Sequence, residues 1–466
     1  TQQRRPIGID CAIGRTTVTA TNLDFVSDGE AAEKTSRVPL PEGTIPVGIG
    51  LFVAGFTSYA FFKVGQLALG KEDFKPIVAL WFTTFALVPG FFMPVEQELG
   101  RALAHRRALG QGGRPVVRRM LTLTIGLATI LIVGIAASSS WLTSDMFDGH
   151  WVVTLSLVLT ICFYAPMHMA RGIASGSGRF AAYGTVMAVD GLVRITACVL
   201  LWQLGVTSVG AYALAVAVSP LIAAGVVFFR GETKTDEGPP ATFSEITPNL
   251  GWLLLGTIMA AALVNAGPLG VDFLANASDA EKVAAFGNGV LLSRVPLFLF
   301  QAVQAALLPR LARLAAKGDL AEFREGFSLL LKVVTAVAVL GTVGSFVLGP
   351  PILTMVYDGG LDRRTLTLLA LASGMYMLAL AVSQGVIALQ GHKFVAVGWL
   401  SAMVGFLAVT AFASDDLFLR VELGLVAGST VALAVFSYAF RARMIAGAIP
   451  DAESMIDGVP DLPLEG

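Results

Sequence analysis

Charge is scarce in this sequence. Only 14% of its 466 residues are Asp, Glu, Lys or Arg, against about 25% in soluble domains, and that shortage excludes an ordinary soluble enzyme, a disordered chain and a nucleic-acid binder. Cysteine is scarcer still. Cys11, Cys162 and Cys198 are too few and too scattered for a disulfide framework or a thiolate metal site, and two of them lie in apolar stretches where they serve as small apolar residues. The first 40 residues hold no apolar run of secretory length, so a cleaved leader is not expected and the amino-terminal tail should stay on the side of synthesis. No nucleophile and base fall at catalytic spacing, and no metal-ligand pattern stands out. The Gly-rich stretch 172–178 lies between two apolar runs with no strand before it, unlike a nucleotide loop. Neither catalysis nor a cofactor is expected.

What is abundant is apolar sequence, at 55% of residues. A bilayer core of about 30 Å needs roughly 20 mostly apolar residues per helix. Twelve such runs occur, near 45–69, 76–98, 117–137, 151–170, 181–203, 207–229, 250–275, 283–309, 326–348, 365–390, 394–413 and 419–440. Pro94 and the Pro350-Pro351 pair leave two ends open, since proline either stops a span or kinks it. Lys and Arg concentrate on the cytoplasmic side of membrane proteins. With the amino terminus inside, cytoplasmic segments hold 22 of these residues and exterior segments 6. The expected protein is therefore a multi-pass protein of the cell inner (plasma) membrane with both termini cytoplasmic. Its exterior loops are short, the longest being about 138–150 and 349–364. Tails 1–44 and 441–466 read as largely disordered.

Two segments recur. Leu103–Gly110 (LAHRRALG) and Leu311–Gly318 (LARLAAKG) agree at four of eight positions with an offset of 208, and Gly172–Gly178 corresponds to Gly385–Gly391 with an offset of 213. Both pairs follow equivalent spans on the same side, which favours a duplicated six-span unit. The expected fold is all-α: two like-oriented six-helix bundles, 45–229 and 250–440, around a central cavity, joined by a polar cytoplasmic linker at 230–249.

Ionisable residues at membrane depth are costly and usually face protein or a water-filled cavity. Lys63 lies in span one, Asp190 and Arg194 in span five, Asn265 and Asp272 in span seven, and Arg294 near the middle of span eight. Each has a plain alternative: Asp190 and Arg194 are one turn apart and can pair, Lys63 can snorkel, Arg294 can join a buried structural pair, and Asp272 is close to a loop. Glu96, Glu98 and Arg101 read as a solvated cluster closing span two. The functional reading is that Lys63, Arg194 and Arg294 line one cavity and bind an anion such as pyrophosphate, which a guanidinium fork suits. Asp190, Asp272 and Asn265 are then the ion-coupling candidates, with proton or sodium as the ion, and Gly267, Pro268 and Gly270 the best hinge.

Glu96–Ala104 (EQELGRALA), Arg179–Gly184 (RFAAYG), Leu292–Leu299 (LSRVPLFL) and Leu308–Ala312 (LPRLA) resemble polysaccharide-biosynthesis flippases of the Wzx type. These belong to the multidrug/oligosaccharidyl-lipid/polysaccharide (MOP) exporter superfamily. The resemblance covers about residues 45–440. It implies movement of a polyprenyl-pyrophosphate-linked saccharide from the cytoplasmic to the exterior leaflet by alternating access, for cell-envelope polysaccharide assembly. Membrane lipids, and a polysaccharide polymerase or glycosyltransferases, are the implied partners. Members carry lumen-facing basic residues on spans one and eight, where Lys63 and Arg294 stand. Many members have fourteen spans, and no extra pair is found after residue 440. A multidrug/cation antiporter of the same superfamily is the alternative, but it should have an acid-dominated cavity. A membrane-embedded glycosyltransferase or polymerase should carry catalytic residues on a large exterior loop, whereas His150 is the only exterior histidine here. A non-transporting scaffold would lack deep charges.

Overall fold

The computed structural model describes residues 44–243, 250–276, 279–297, 300, 320–357, 360–389 and 391–446. Residues 1–43 and 447–466, most of the tails assigned to 1–44 and 441–466, and the repeat segment Leu311–Gly318 lie outside the described residues. Twelve long helices are described: α1 (Thr44–Leu69), α2 (Lys75–Ala108), α3 (Arg114–Ala137), α4 (Trp151–Gly176), α5 (Phe180–Gln203), α6 (Val209–Phe229), α7 (Leu250–Leu274), α8 (Ala280–Ser293), α9 (Leu320–Tyr357), α10 (Arg363–Ala388), α11 (His392–Phe412) and α12 (Leu417–Ala446). No strand occurs among the described residues. Eleven of these helices are long and apolar enough to cross a membrane, and the described part of α8 is shorter. Local chemistry sets several ends. Pro76 and Pro115 open α2 and α3, where a missing N–H costs nothing, and Asp362 caps α10 by accepting from the Thr365 N–H at 2.9 Å. Gly178 turns the chain out of α4 with φ +73°, a conformation that a side chain resists.

Several helices outrun their apolar stretches. α2 continues ten residues past 98, α4 runs to Gly176, and α12 continues through Arg441 and Arg443 to Ala446. α9 runs from Leu320 to Tyr357 with Pro350 and Pro351 inside it, so most of the loop expected at 349–364 is helix. Each proline removes one donor but leaves the rest of the helix to be held by packing, as Leu353 and Tyr357 are buried beyond the pair.

The helices pack in a pattern that repeats. α1 lies against α5, α2 and α3 against α4, and α4 and α5 against α6. In the second half α7 lies against α11, α8 and α9 against α10, and α10 and α11 against α12. Small residues bring backbones together: a Cβ on Gly50 of α1 would stand 2.5 Å from the Gly184 carbonyl oxygen of α5. Helices α2, α4 and α10 are the most enclosed, whereas α3 and α9 lie at the periphery. Large apolar side chains on the outside, Phe52, Phe229 and Phe412 among them, are what a lipid-facing surface requires.

Contacts sort the helix ends. Lys75, Asp148 and Asp272 meet at one end, the one predicted to face the exterior. At the other, the predicted cytoplasmic end, Arg106 donates to the Pro239 and Pro240 carbonyls at 2.7 and 3.1 Å, and Arg179 to that of Lys234 at 3.1 Å. These bonds and the Arg114–Glu237 pair tie the described part of the linker, 230–243, to the first bundle.

Candidate functional site

Helix α2 is the seam of the molecule. On one side it packs with α3, α4 and α6, and on the other with α7 and α8. Its consecutive aromatics Trp81 and Phe82 each carry an arginine. The Arg194 guanidinium lies 4.7 Å from the Trp81 ring centroid, and that of Arg294 lies 5.2 Å from Phe82. Both geometries suit cation–π attraction, which strengthens when water is excluded.

The two arginines live in different electrostatic settings. Arg194 is 1% exposed and its Nη1 pairs with Asp190 Oδ2 at 3.3 Å, one helical turn away. Asp190 also accepts from Ser219 at 2.7 Å and from Tyr164 at 3.4 Å. This pair is neutral and sealed inside the first bundle, so Arg194 does not share an open cavity with Arg294. Only the α5 spacing joins it to its partner, and the expectation of three cations lining one chamber is not met at this position.

Arg294 is half-buried at the end of α8, on the boundary between bundles. Its Nη1 donates to Asn265 Oδ1 at 3.2 Å and its Nη2 to the Val264 carbonyl. Among the described residues no acid pairs with it. Proline fixes neither contact directly: α7 is an unbroken helix through Gly267, Pro268 and Gly270, with Gly267 against Leu425. Asn265 thus orients the arginine through its carbonyl while its own Nδ2 donates to Phe85 of α2 at 2.8 Å. Lys63 is half-buried and shares a face of α1 with Tyr59 and Gln66. That face turns to α8, because the Tyr59 hydroxyl donates to the Leu291 carbonyl at 2.7 Å and Gln66 pairs with Asn288. The structure therefore places Lys63 and Arg294 along one boundary and Arg194 behind α2.

Several functional contacts are invisible to span-by-span reading. Gln66 and Asn288 exchange two hydrogen bonds, 2.8 and 3.1 Å, with both side chains buried. The Tyr357 hydroxyl donates to the Tyr59 carbonyl at 3.1 Å. Asp272, expected as a loop acid or ion-coupling group, pairs with Lys75 of α2 at 3.5 Å with only 5% of its side chain exposed. Together these close the bundles over one another at the predicted exterior end. The one available signal was the presence of amides inside apolar runs.

Glu96 and Glu98 correct another expectation. They are 6% and 5% exposed and not solvated. Glu96 contacts His168 Nδ1 at 2.7 Å, accepts from the Tyr183 hydroxyl at 2.8 Å and pairs with Arg171 at 3.1 Å. The extension of α2 beyond 98 and of α4 beyond 170 explains this: helix α4 covers what would otherwise be a span end. Glu98 alone keeps its expected partner, Arg101, at 2.7 Å.

The geometry matches known proteins. Over residues 103–382, more than half of the chain, the sequence matches the family described as Lipid II flippase MurJ. The uncharacterized proteins Rv3630 of Mycobacterium tuberculosis and Mb3654 of Mycobacterium bovis are each 23% identical over 380 residues, covering 77% of this chain and 83% of theirs. Among solved structures, MATE in the straight conformation superposes with a TM-score of 0.67 at 15% identity, covering 86% of this chain and 95% of that one. An inward-facing multidrug resistance MATE family transporter of the MOP superfamily gives 0.59 at 14% identity, covering 88% and 96%. The fold is the one that the MATE structures share, and the chain belongs to the MurJ lipid II flippase family, a family of transporters and not of enzymes.

Proposed function

We propose that the protein carries a polyprenyl-pyrophosphate-linked saccharide from the cytoplasmic to the exterior leaflet by alternating access, for cell-envelope polysaccharide assembly. The observation that carries this reading is Arg294, a half-buried guanidinium between the bundles with no acid partner among the described residues. An unneutralised cation at membrane depth is costly unless it faces a ligand or water, and a pyrophosphate offers the oxygen pairs that a guanidinium fork matches. Lys63, on the facing side of α1, adds a point charge. Arg194 is not assigned to the cargo, since Asp190 already neutralises it.

The contacts at the Lys75 end are those of a state closed toward the exterior, so the cargo would enter from the cytoplasm. Ion coupling fits the Asp190–Arg194 pair: neutralising Asp190 would free a buried guanidinium and bias the first bundle toward another arrangement. The cationic boundary favours an anionic cargo over the cationic drugs that a multidrug antiporter of the superfamily would take.

A leaflet-specific assay of lipid-linked saccharides tests the reading. Arg294→Ala should abolish accumulation at the exterior leaflet with protein abundance intact, and Arg294→Lys should retain a fraction. Unchanged transport in Arg294→Ala would remove its role.

A further inference from the structure

Glu422 stands early in α12 and is fully buried, at 0% exposure. Both of its carboxylate oxygens are buried without a hydrogen-bond partner. The residues around it are mostly apolar. Val421 and Leu425, its neighbours on α12, pack against Gly270 and Gly267 of α7, and the Phe418 ring packs at a tilt against Phe286 of α8. The Thr365 side chain, at the start of α10, faces the carboxyl.

The charged groups within reach are otherwise engaged. From α10 and its cap come Arg364 and Asp362, and from the α11–α12 connection comes Asp416. Arg364 is directed at Asp416, 3.5 Å away, and at Asp362, 4.0 Å away. Arg420 of α12 donates to the Thr410 and Ala411 carbonyls at 2.8 and 3.4 Å. On α7 the acid is Asp272, paired with Lys75, and on α8 Lys282 pairs with Asp279 at 2.7 Å.

A fully enclosed ionised carboxylate with only a threonine side chain and an already paired arginine near it is too costly to persist, so the group must be neutralised by a proton or by a bound cation. A metal cation needs a shell of oxygen ligands. Here one carboxylate and one threonine side chain are offered near a guanidinium, and no group of three His, Cys, Asp or Glu side chains that could hold a metal lies together among the described residues. We propose that Glu422 is a proton-binding site of the second bundle, neutral in this state and loaded from the end where Arg364 meets Asp416. The proton is bound as an O–H on Glu422 and leaves as a hydrated proton when the site opens to water. As the carrier of a coupled proton, Glu422 deepens the ion-coupled reading above and rests on it. The binding itself does not.

The test uses full-length protein in lipid nanodiscs with no saccharide present, so that failure speaks to Glu422 and not to the cargo. Infrared difference spectroscopy reads the C=O stretch of a protonated carboxyl at neutral pH. Glu422→Gln, the uncharged isostere, should keep the thermal unfolding midpoint and lose one such band, and Glu422→Asp should shift it. Replacing choline chloride with sodium chloride should leave the band in place. An identical spectrum in Glu422→Gln would overturn the proposal, as would a band that sodium removes, which would make this a cation site. If Glu422→Gln does not fold, the Asp variant decides: a shifted band supports the proposal and an unchanged one refutes it.

Discussion

The reciprocal amide pair between Gln66 and Asn288 gives a quantitative handle on how the bundles are held together. Gln66 is 8% exposed and Asn288 1%, and each donates to the other. In Asn288→Ala the Gln66 amide keeps its buried place but loses both bonds, at a cost of about 1–3 kcal/mol for an unsatisfied buried polar group. In an arrangement open at that end, water satisfies Gln66 and the cost vanishes. The substitution should therefore shift the closed-to-open ratio by about 5- to 150-fold toward open. Replacing both residues with leucine removes the buried polar groups together and should restore or strengthen closure, because exchanging both partners for apolar groups is nearly neutral or stabilising. Spin labels on cysteines at the exposed positions Glu72 and Arg363, in a background with the native cysteines replaced, report the separation at this end. A distance distribution that is the same in Asn288→Ala as in the parent would refute the reasoning.

Other outcomes follow from single contacts. Asp190→Ala should destabilise the protein by about 3–5 kcal/mol, because it strands Arg194 in a sealed site; thermal unfolding should show most of this recovered in Asp190→Ala with Arg194→Leu. Asp190→Asn should change how transport depends on an imposed proton or sodium gradient, and an unchanged dependence would leave the acid structural. Asp362→Ala should cost about 1 kcal/mol through the lost cap of α10. Burial alone would raise the Asp362 carboxyl, but the bonds from Thr365 outweigh it and hold the group below its usual 3.8. That sign means the cap contributes fully above the unfolded value and fades as pH falls through the lower folded one, so wild type and variant should converge in strong acid.

The Asp190–Arg194 pair was readable because both residues sit on one helix at i,i+4, where spacing alone brings side chains together. Glu96 was misread for a related reason. Hydropathy marks where a lipid-facing run ends but not where the helix ends, and the extra turns of α2 and α4 place Glu96 against His168, Arg171 and Tyr183 inside the bundle. Arg294 was singled out by its depth, yet its partners Asn265 and Val264 belong to the preceding span, and nothing in the spacing distinguishes that contact from the acid pair Arg194 makes. Glu422, close to a span boundary, carried no signal that it would be fully enclosed.

The sequence by itself determined the membrane class and the number of apolar runs, because transfer of a helix from water to hydrocarbon is a sum over adjacent residues and needs no knowledge of neighbours. The tertiary structure alone decided which polar groups are neutralised and which stand open. Lys75 with Asp272 and Gln66 with Asn288 join residues about 200 positions apart. In a low-dielectric interior the charge state and availability of a side chain depend on the few atoms beside it, and those come from helices that the chain reaches only after crossing the membrane several more times.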